Sequence, residues 1–316
     1  METDWKIGNR IWGRFQIYQV LHGGMGTIYV VYDHERREPC VIKTLQDELF
    51  NADPRFAENF VAEAHVWINL DSHRNITRAI NVAYSHTRPT RLLLFLEFVS
   101  GGDLSRWIGT PRLTGNLRQS LIFGLQFADG MIHAQSRGLR AHRDVKPSNC
   151  LLTNDGTLKI TDFGLSKLGI VSNSGVTRIS LSAPTNVERG SVFDGTPEYM
   201  APEQFLGSHA DVRSDIYSFG VMFFEMLRGT RPFVATSPEE LAALHLHKNP
   251  PRLKNRNRQV DELVAECLAK NPNDRPQDFT MVRERLSELY EQVAATPAPT
   301  RVTGIPFNVR DDRQGR

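Results

Sequence analysis

Cysteine is scarce: three residues in 316, Cys40, Cys150 and Cys267, far apart and odd in number. No CxxC spacing occurs, so neither a zinc site nor a disulfide framework is suggested, and reduced thiols are the simplest reading. Charge of one sign is also lacking, because 38 Lys and Arg against 36 Asp and Glu leave a formal +2. That balance carries no footprint of nucleic-acid binding. No apolar run approaches the ~18 residues that would span a bilayer. The start METDWKIGNR lacks the hydrophobic core of a secretory signal. These absences lead us to expect a cytoplasmic chain with no membrane segment and no nucleic-acid partner. What is present is ordinary globular material, 40% hydrophobic and 23% charged, enough for one large domain or two lobes.

Residues 1–14 read as a short N-terminal lead. Ile17–Leu21 and Thr27–Asp33 are rich in β-branched and aromatic residues around a Gly-rich turn, which predicts a hairpin. Pro39–Leu45, Ile80–Tyr84 and Arg91–Phe98 read as further strands. Asp53 and Pro54 look like an N-cap followed by proline at the first helical position. The helix then runs through PRFAENFVAEAHVWINL, with Phe56, Phe60, Ala64 and Trp67 at spacings of three and four. From Asp103 onward the texture is mostly helical: Leu117–Gln135, an apolar Ser214–Leu227, and amphipathic Val260–Ala269 and Asp278–Val293. The Pro-, Thr- and Arg-containing tail after Ala294 reads as linker or disorder. There is no internal repeat.

Three short motifs carry the chemistry. HRDVKPSN fills His142–Asn149, DFG fills Asp162–Gly164 and APE fills Ala201–Glu203. Each alone is unremarkable, since a lone DFG is a turn and a lone HRD is a few surface charges. Together, in this order and spacing, they suit phosphoryl transfer from ATP. Asp144 can accept a proton from a hydroxyl. Asn149, five residues on, is near enough to hold a metal ion, and Asp162 supplies a carboxylate for a second.

On these motifs the chain resembles a eukaryotic-type (Hanks-type) Ser/Thr protein kinase, from about Phe15 to about Val293. The runs LHGGMGTIY and GTPEYMAPEQ look most like bacterial members. The resemblance implies an α+β, bilobal fold: a small β-rich N-lobe with one main helix, about residues 15–99, and a larger, mostly helical C-lobe, about 100–293, followed by a flexible tail, 294–316. It also implies ATP with Mg2+ (or Mn2+), protein substrates with Ser or Thr acceptors, and self-association for autophosphorylation in trans.

Gly23, Gly24 and Gly26 occupy the turn between the first two strands, where the lack of Cβ lets backbone N–H groups approach phosphate oxygens. Against the pattern G-x-G-x-x-G-x-V, the first glycine is replaced by Leu21 and Gly24 is extra. Val20 and Leu21 enter this loop and join the expected nucleotide contacts. Ile28 and Val41 are expected to roof the adenine, with Leu151 below it. Lys43, in CVIK, stands where the family has the lysine that meets the α- and β-phosphates, and Glu63, twenty residues on, is expected to pair with it. In the linker LEFVSGGDL, Leu96 holds the gatekeeper position, Glu97 C=O and Val99 N–H are expected to face the adenine edge, and Asp103 to meet the ribose.

At the reacting end, Asp144 is the expected base, Lys146 the γ-phosphate contact that also marks the Ser/Thr class, and Asn149 and Asp162 the metal ligands. His142 and Phe163 are expected to pack. Thr196 is expected to touch Asp144 and Lys146, Glu203 to pair with Arg275, and Asp215 to brace the catalytic loop. Arg143 calls for a counter-charge, which in the family is often an activation-loop phosphate. The span Asp162–Glu203 is 42 residues long and holds nine serines and threonines: Ser166, Ser172, Ser174, Thr177, Ser180, Ser182, Thr185, Ser191 and Thr196. Autophosphorylation between about Thr177 and Ser191, with Ser191 favoured by position, is the regulatory expectation.

Two other classes compete. A pseudokinase acting as a nucleotide-binding signalling scaffold would usually lack the lysine or one of the aspartates, all of which stand here at Lys43, Asp144 and Asp162. A small-molecule kinase of related fold would usually lack the APE region. Ser148 stands where some relatives use Glu to attract basic peptides, so substrate preference is not readable from this motif.

Overall fold

Alternation of buried and exposed positions builds the N-terminal sheet. The computed structural model describes residues 5–22, 26–45, 54–85, 90–163, 196–253 and 257–295. Within them, β1 (Arg10–Ile11), β2 (Phe15–His22), β3 (Gly26–Asp33), β4 (Glu38–Leu45), β5 (Ala79–Tyr84) and β6 (Leu92–Glu97) form one antiparallel sheet in the order β1-β2-β3-β4-β6-β5. Phe15 and Ile17, Tyr29 and Val31, and Cys40 and Ile42 alternate along their strands into one outer cluster. The run LLLFLE of β6 is buried from Leu92 to Leu96, as befits a strand covered on both faces. Its side chains divide strictly: Leu93 and Phe95 join the outer cluster, whereas Leu92, Leu94 and Leu96 join the larger core below.

The segment expected as an N-terminal lead packs against this sheet. Ile11 is buried, Trp5 meets Tyr29 edge-on at 5.6 Å, and Trp12 lies 5.6 Å from Phe95. Arg14 donates to both carboxylate oxygens of the buried Asp33, at 2.7 and 2.6 Å. The two-residue β1 is too short to leave a periodic signal.

Helix α1 (Pro54–Asn69) follows the predicted start at Pro54, while Asp53 lies outside the described residues. Phe60, Ala64 and Trp67 are buried, as their spacing requires, and Trp67 Nε1–H donates to Thr77 O at 2.7 Å. That bond fixes α1 to the segment leading into β5.

The C-lobe is helical, as expected from Asp103 onward: α2 (Leu117–Ser136), α3 (Pro202–Phe205), α4 (Val212–Arg228), α5 (Pro238–His247), α6 (Arg258–Cys267) and α7 (Phe279–Ala295). Asn116, Asp211, Ser237 and Asn257 cap four of these helices through side-chain oxygens that accept first-turn N–H groups. Helix α4 is the buried axis, with Phe219 stacked against Phe127 and Phe223. A hairpin that sequence reading missed, β7 (Cys150–Leu152) with β8 (Leu158–Ile160), lies beneath the N-lobe. Ile160 N–H donates to Asn75 O at 2.9 Å and Thr77 N–H to Ile160 O at 2.8 Å, so β8 is sewn to the entry of β5.

Two glycines permit the close approaches that join the lobes. A Cβ at Gly101 would overlap Leu152 O, and one at Gly130 would lie 2.8 Å from Asn75 O. Among the described residues no helix is long and apolar enough to cross a membrane.

Candidate active site

The site lies where β7, β8, the catalytic-loop segment and β4 meet. Its foundation is Asp215 on α4, which is buried. His142 N–H donates to its Oδ2 at 2.6 Å and Arg143 N–H to its Oδ1 at 2.8 Å. Burial pushes the Asp215 carboxyl up to about 6 against the pull of these amides. The expected brace is therefore present. His142 is fully buried and lies 4.8 Å from the Phe163 ring. Its Nε2–H donates to Thr161 O at 2.9 Å, and its Nδ1 accepts from Asp144 N–H at 3.3 Å. A carbonyl can only accept and an amide only donate, so the two bonds select one tautomer. Phe163 also meets Trp67 of α1 at 5.9 Å, so the DFG segment packs directly on that helix.

Three groups converge on the Asp144 carboxylate. Lys146 Nζ lies 2.7 Å from Oδ2, Asn149 Nδ2 donates to Oδ2 at 2.9 Å, and Thr196 Oγ1 donates to Oδ1 at 3.0 Å. Lys146 Nζ also donates to Thr196 Oγ1 at 2.6 Å, which closes a ring of contacts between the His142–Asn149 segment and the Thr196 turn ahead of α3. Burial alone would raise the Asp144 carboxyl. The Lys146 charge and hydrogen bond, helped by His142 and Asn149, outweigh it and hold the group below the usual carboxylate range. Asp144 is therefore ionised at neutral pH, a weak base suited to orienting a hydroxyl and taking its proton late.

The residues expected to hold a metal ion are neighbours. Thr161 N–H donates to Asn149 O at 3.0 Å, which sets Asn149 beside the turn carrying Asp162. With its Nδ2 committed to Asp144, Asn149 has Oδ1 left as an acceptor. An amide oxygen and a carboxylate fit a hard divalent cation. Asp162 adopts a left-handed backbone, φ 64, and its Oδ2 lies 2.9 Å from Lys43 Nζ. Lys43 thus pairs with Asp162, and Glu63, its other expected partner, is buried on α1.

Around the expected nucleotide seat, Leu21 pairs with Ile28, Val20 with Tyr29, Ile28 with Lys43, and Val41 with Leu96, which is buried. The Leu21 side chain is 45% exposed, and Gly26 is buried at the start of β3. Gly23 and Gly24 lie outside the described residues. Leu151 is half-buried and pairs across the hairpin with Lys159. Asp103 caps the 3-10 turn Leu104–Arg106, accepting from Ser105 N–H at 3.0 Å and from its hydroxyl. Glu97 ends β6 and Val99 follows within the linker, and the Glu97 carboxylate binds Lys159, a contact sequence reading missed.

The Glu203–Arg275 clamp is present in full. Arg275 donates to both Glu203 oxygens at 2.8 Å, and its side chain is 0% exposed. It further donates to the carbonyls of Ala269, Arg213 and Lys270. Burial would raise Glu203, but the Arg275 hydrogen bonds and charge hold it low. Arg143 has φ 71, and its Nε is buried without a hydrogen-bond partner among the described residues. Gly164 and the serines and threonines from Ser166 to Ser191 lie outside them.

Comparison with known proteins agrees with this geometry. Residues 16–287 match the protein kinase domain. The chain is 32% identical over 306 residues to serine/threonine-protein kinase Pkn1 of Myxococcus xanthus, covering 93% of this chain and 41% of that protein. It is 34% identical over 272 residues to serine/threonine-protein kinase PknA of Mycobacterium tuberculosis, covering 84% and 59%. To serine/threonine-protein kinase PksC of Streptomyces coelicolor it is 33% identical over 308 residues, covering 92% and 51%. The chain belongs to the protein kinase family, in company with bacterial Ser/Thr kinases. It spans roughly half the length of these curated relatives.

Proposed function

We propose that this chain is an ATP-dependent protein kinase that phosphorylates serine and threonine hydroxyls, and that Asp144, Lys146, Lys43 and Glu63 serve the reaction. The observation that carries this reading is the Asp144 carboxylate, held ionised at the meeting point of Lys146, Asn149 and Thr196. In the proposed step, Asp144 receives the hydrogen bond of the substrate hydroxyl and takes its proton as the new O–P bond forms and the bond to the ADP oxygen breaks. Lys146 offsets charge on the transferring group. Asn149 and Asp162 would hold a divalent ion, Mg2+ by preference, which neutralises phosphate charge.

The nucleotide contacts in this reading are Val20, Leu21, Gly23, Gly24, Gly26, Ile28, Val41, Lys43, Glu97, Val99, Asp103 and Leu151. With its guanidinium Nε buried and without a hydrogen-bond partner among the described residues, Arg143 offers a site for an activation-loop phosphate, and autophosphorylation between two copies would supply it. The buried, free thiols of Cys40, Cys150 and Cys267 suit a reducing cytoplasm.

The test compares wild type with Asp144→Asn for Mg2+-dependent incorporation of phosphate from ATP into the chain itself and into a generic protein substrate. Labelling by wild type but not by the variant supports the reading, and mapping the labelled residues tests the regulatory part. If neither labels while ATP still raises the melting temperature, the chain is a nucleotide-binding scaffold instead.

A further inference from the structure

The side chain of Lys159 leaves β8 and reaches the last residue of β6. Its Nζ lies 2.8 Å from Glu97 Oε1 and 3.4 Å from Ile76 O, and the two charged side chains are only 16% and 29% exposed. Glu97 Oε1 accepts a second hydrogen bond, from Arg78 N–H at 2.8 Å, while Glu97 N–H donates to Arg78 O at 3.0 Å. The carboxylate is thus held by two donors from two directions. Glu97 belongs to the N-lobe sheet and Lys159 to the hairpin below it, so this ion pair joins the lobes beside the linker.

Three residues past Lys159 the chain reaches Asp162, which pairs with Lys43 back on the N-lobe sheet at 2.9 Å. Beyond the backbone bonds of Ile160 to Asn75 and Thr77, this stretch of β8 and its continuation is tied to the N-lobe by two ion pairs, one beside the linker and one at the phosphate end. Rotation of the lobes about the linker would stretch the Lys159–Glu97 contact, because its two ends ride on different lobes. Partial burial keeps the pair from being screened as a surface pair would be.

We infer that Lys159 is a positioning residue: through Glu97 it anchors β8 and so sets where Asp162 stands relative to the linker that receives the adenine. This rests on the kinase reading above. The main chain of Glu97 would face the nucleotide while its side chain holds β8, so one residue couples the two ends of the nucleotide site.

The experiment uses the full chain as wild type, Lys159→Met, Lys159→Arg, Glu97→Gln and the Lys159→Met/Glu97→Gln double variant. The dissociation constant of ADP is measured by calorimetry with and without Mg2+, alongside KM for ATP, kcat and melting temperature. Lys159→Met should weaken ADP binding roughly five- to tenfold in the presence of Mg2+ and less in its absence, as expected for coupled sites. Lys159→Arg should recover binding to within about twofold, and the double variant should be no worse than either single, as for two partners of one contact. Unchanged ADP affinity and KM in Lys159→Met would overturn the inference. So would a loss equal with and without Mg2+, or effects that simply add in the double variant. ADP binding is read directly, so a chain that binds nucleotide but transfers no phosphate still decides the matter. A chain that phosphorylates substrate while Lys159→Met binds ADP normally defeats this inference and leaves the kinase reading standing. A wild type that binds no ADP defeats both.

Discussion

Arg143 is held in a left-handed backbone conformation, φ 71, by the hydrogen bond from its N–H to Asp215 Oδ1, 2.8 Å away on a buried helix. For a residue other than glycine that conformation costs on the order of 1–2 kcal/mol. His142 N–H, on the other carboxylate oxygen, completes a two-point grip on the turn that presents Asp144. The shape of the catalytic loop is thus held by a group that touches no substrate.

That grip is pH-sensitive. The ionised Asp215 can accept from both amides, whereas a protonated carboxyl turns one oxygen into a donor facing an N–H. With the carboxyl pushed up to about 6, kcat should fall as pH drops through that value. Stability should run the other way. A carboxyl raised in the folded state contributes stability that is present below the ordinary carboxylate range and lost as pH rises through about 6. Asp215→Asn should lower kcat by roughly 10- to 100-fold, in the range seen for supporting hydrogen-bond partners. It should also erase the inflection near pH 6 from the pH–rate profile. An inflection that survives in the variant would assign it to another group.

The clamp between Glu203 and Arg275 should be a stability element. Removing Glu203 strands a guanidinium whose side chain is 0% exposed. Breaking one partner of a buried pair costs about 3–5 kcal/mol. Glu203→Ala should therefore lower the melting temperature by roughly 10 °C, since each kcal/mol is worth about 2–4 °C in a domain of this size class. Denaturant unfolding would check it through a lower midpoint at unchanged slope.

Thr196 bridges base and cation, donating to Asp144 and accepting from Lys146. Thr196→Val keeps the shape and removes both bonds. Hydrogen bonds to charged groups are worth about 1.5–3 kcal/mol, so kcat should fall roughly 10- to 100-fold. KM for ATP should hold to within about twofold, because uniform binding of the nucleotide is untouched. Thr196→Ser should restore most of the rate. A variant with raised KM and normal kcat would place Thr196 in nucleotide binding instead.

The two lobes, the main helices and the candidate reacting residues were legible because their signals are local: strand alternation around Ile17 and Tyr29, helical spacing through Phe60 and Trp67, and motifs of three to eight residues. Asp215, Thr196 and the Glu203–Arg275 pair could be placed through family resemblance, and the structure brings each to its expected partner. What escaped was short or non-local. Strands β7 and β8 have three residues each, too few for any period to appear. The docking of Ile11 and Trp12 depends on Phe15 and Phe95, the latter far along the chain. Lys159 reads as an ordinary strand lysine until Glu97 is brought beside it. The Lys43–Asp162 contact depends on the left-handed backbone at Asp162, which residue spacing does not contain.

Strand β6 has one further consequence. Its odd- and even-numbered side chains belong to different clusters, so it is a party wall between two interiors. Neither side can absorb a polar newcomer, and a register slip of one residue would exchange the contents of both rooms at once. The strand that delivers the linker is therefore closed to drift in sequence from two directions. Variation among kinases of this kind should collect after Glu97, where the wall ends, and not within Leu92–Leu96.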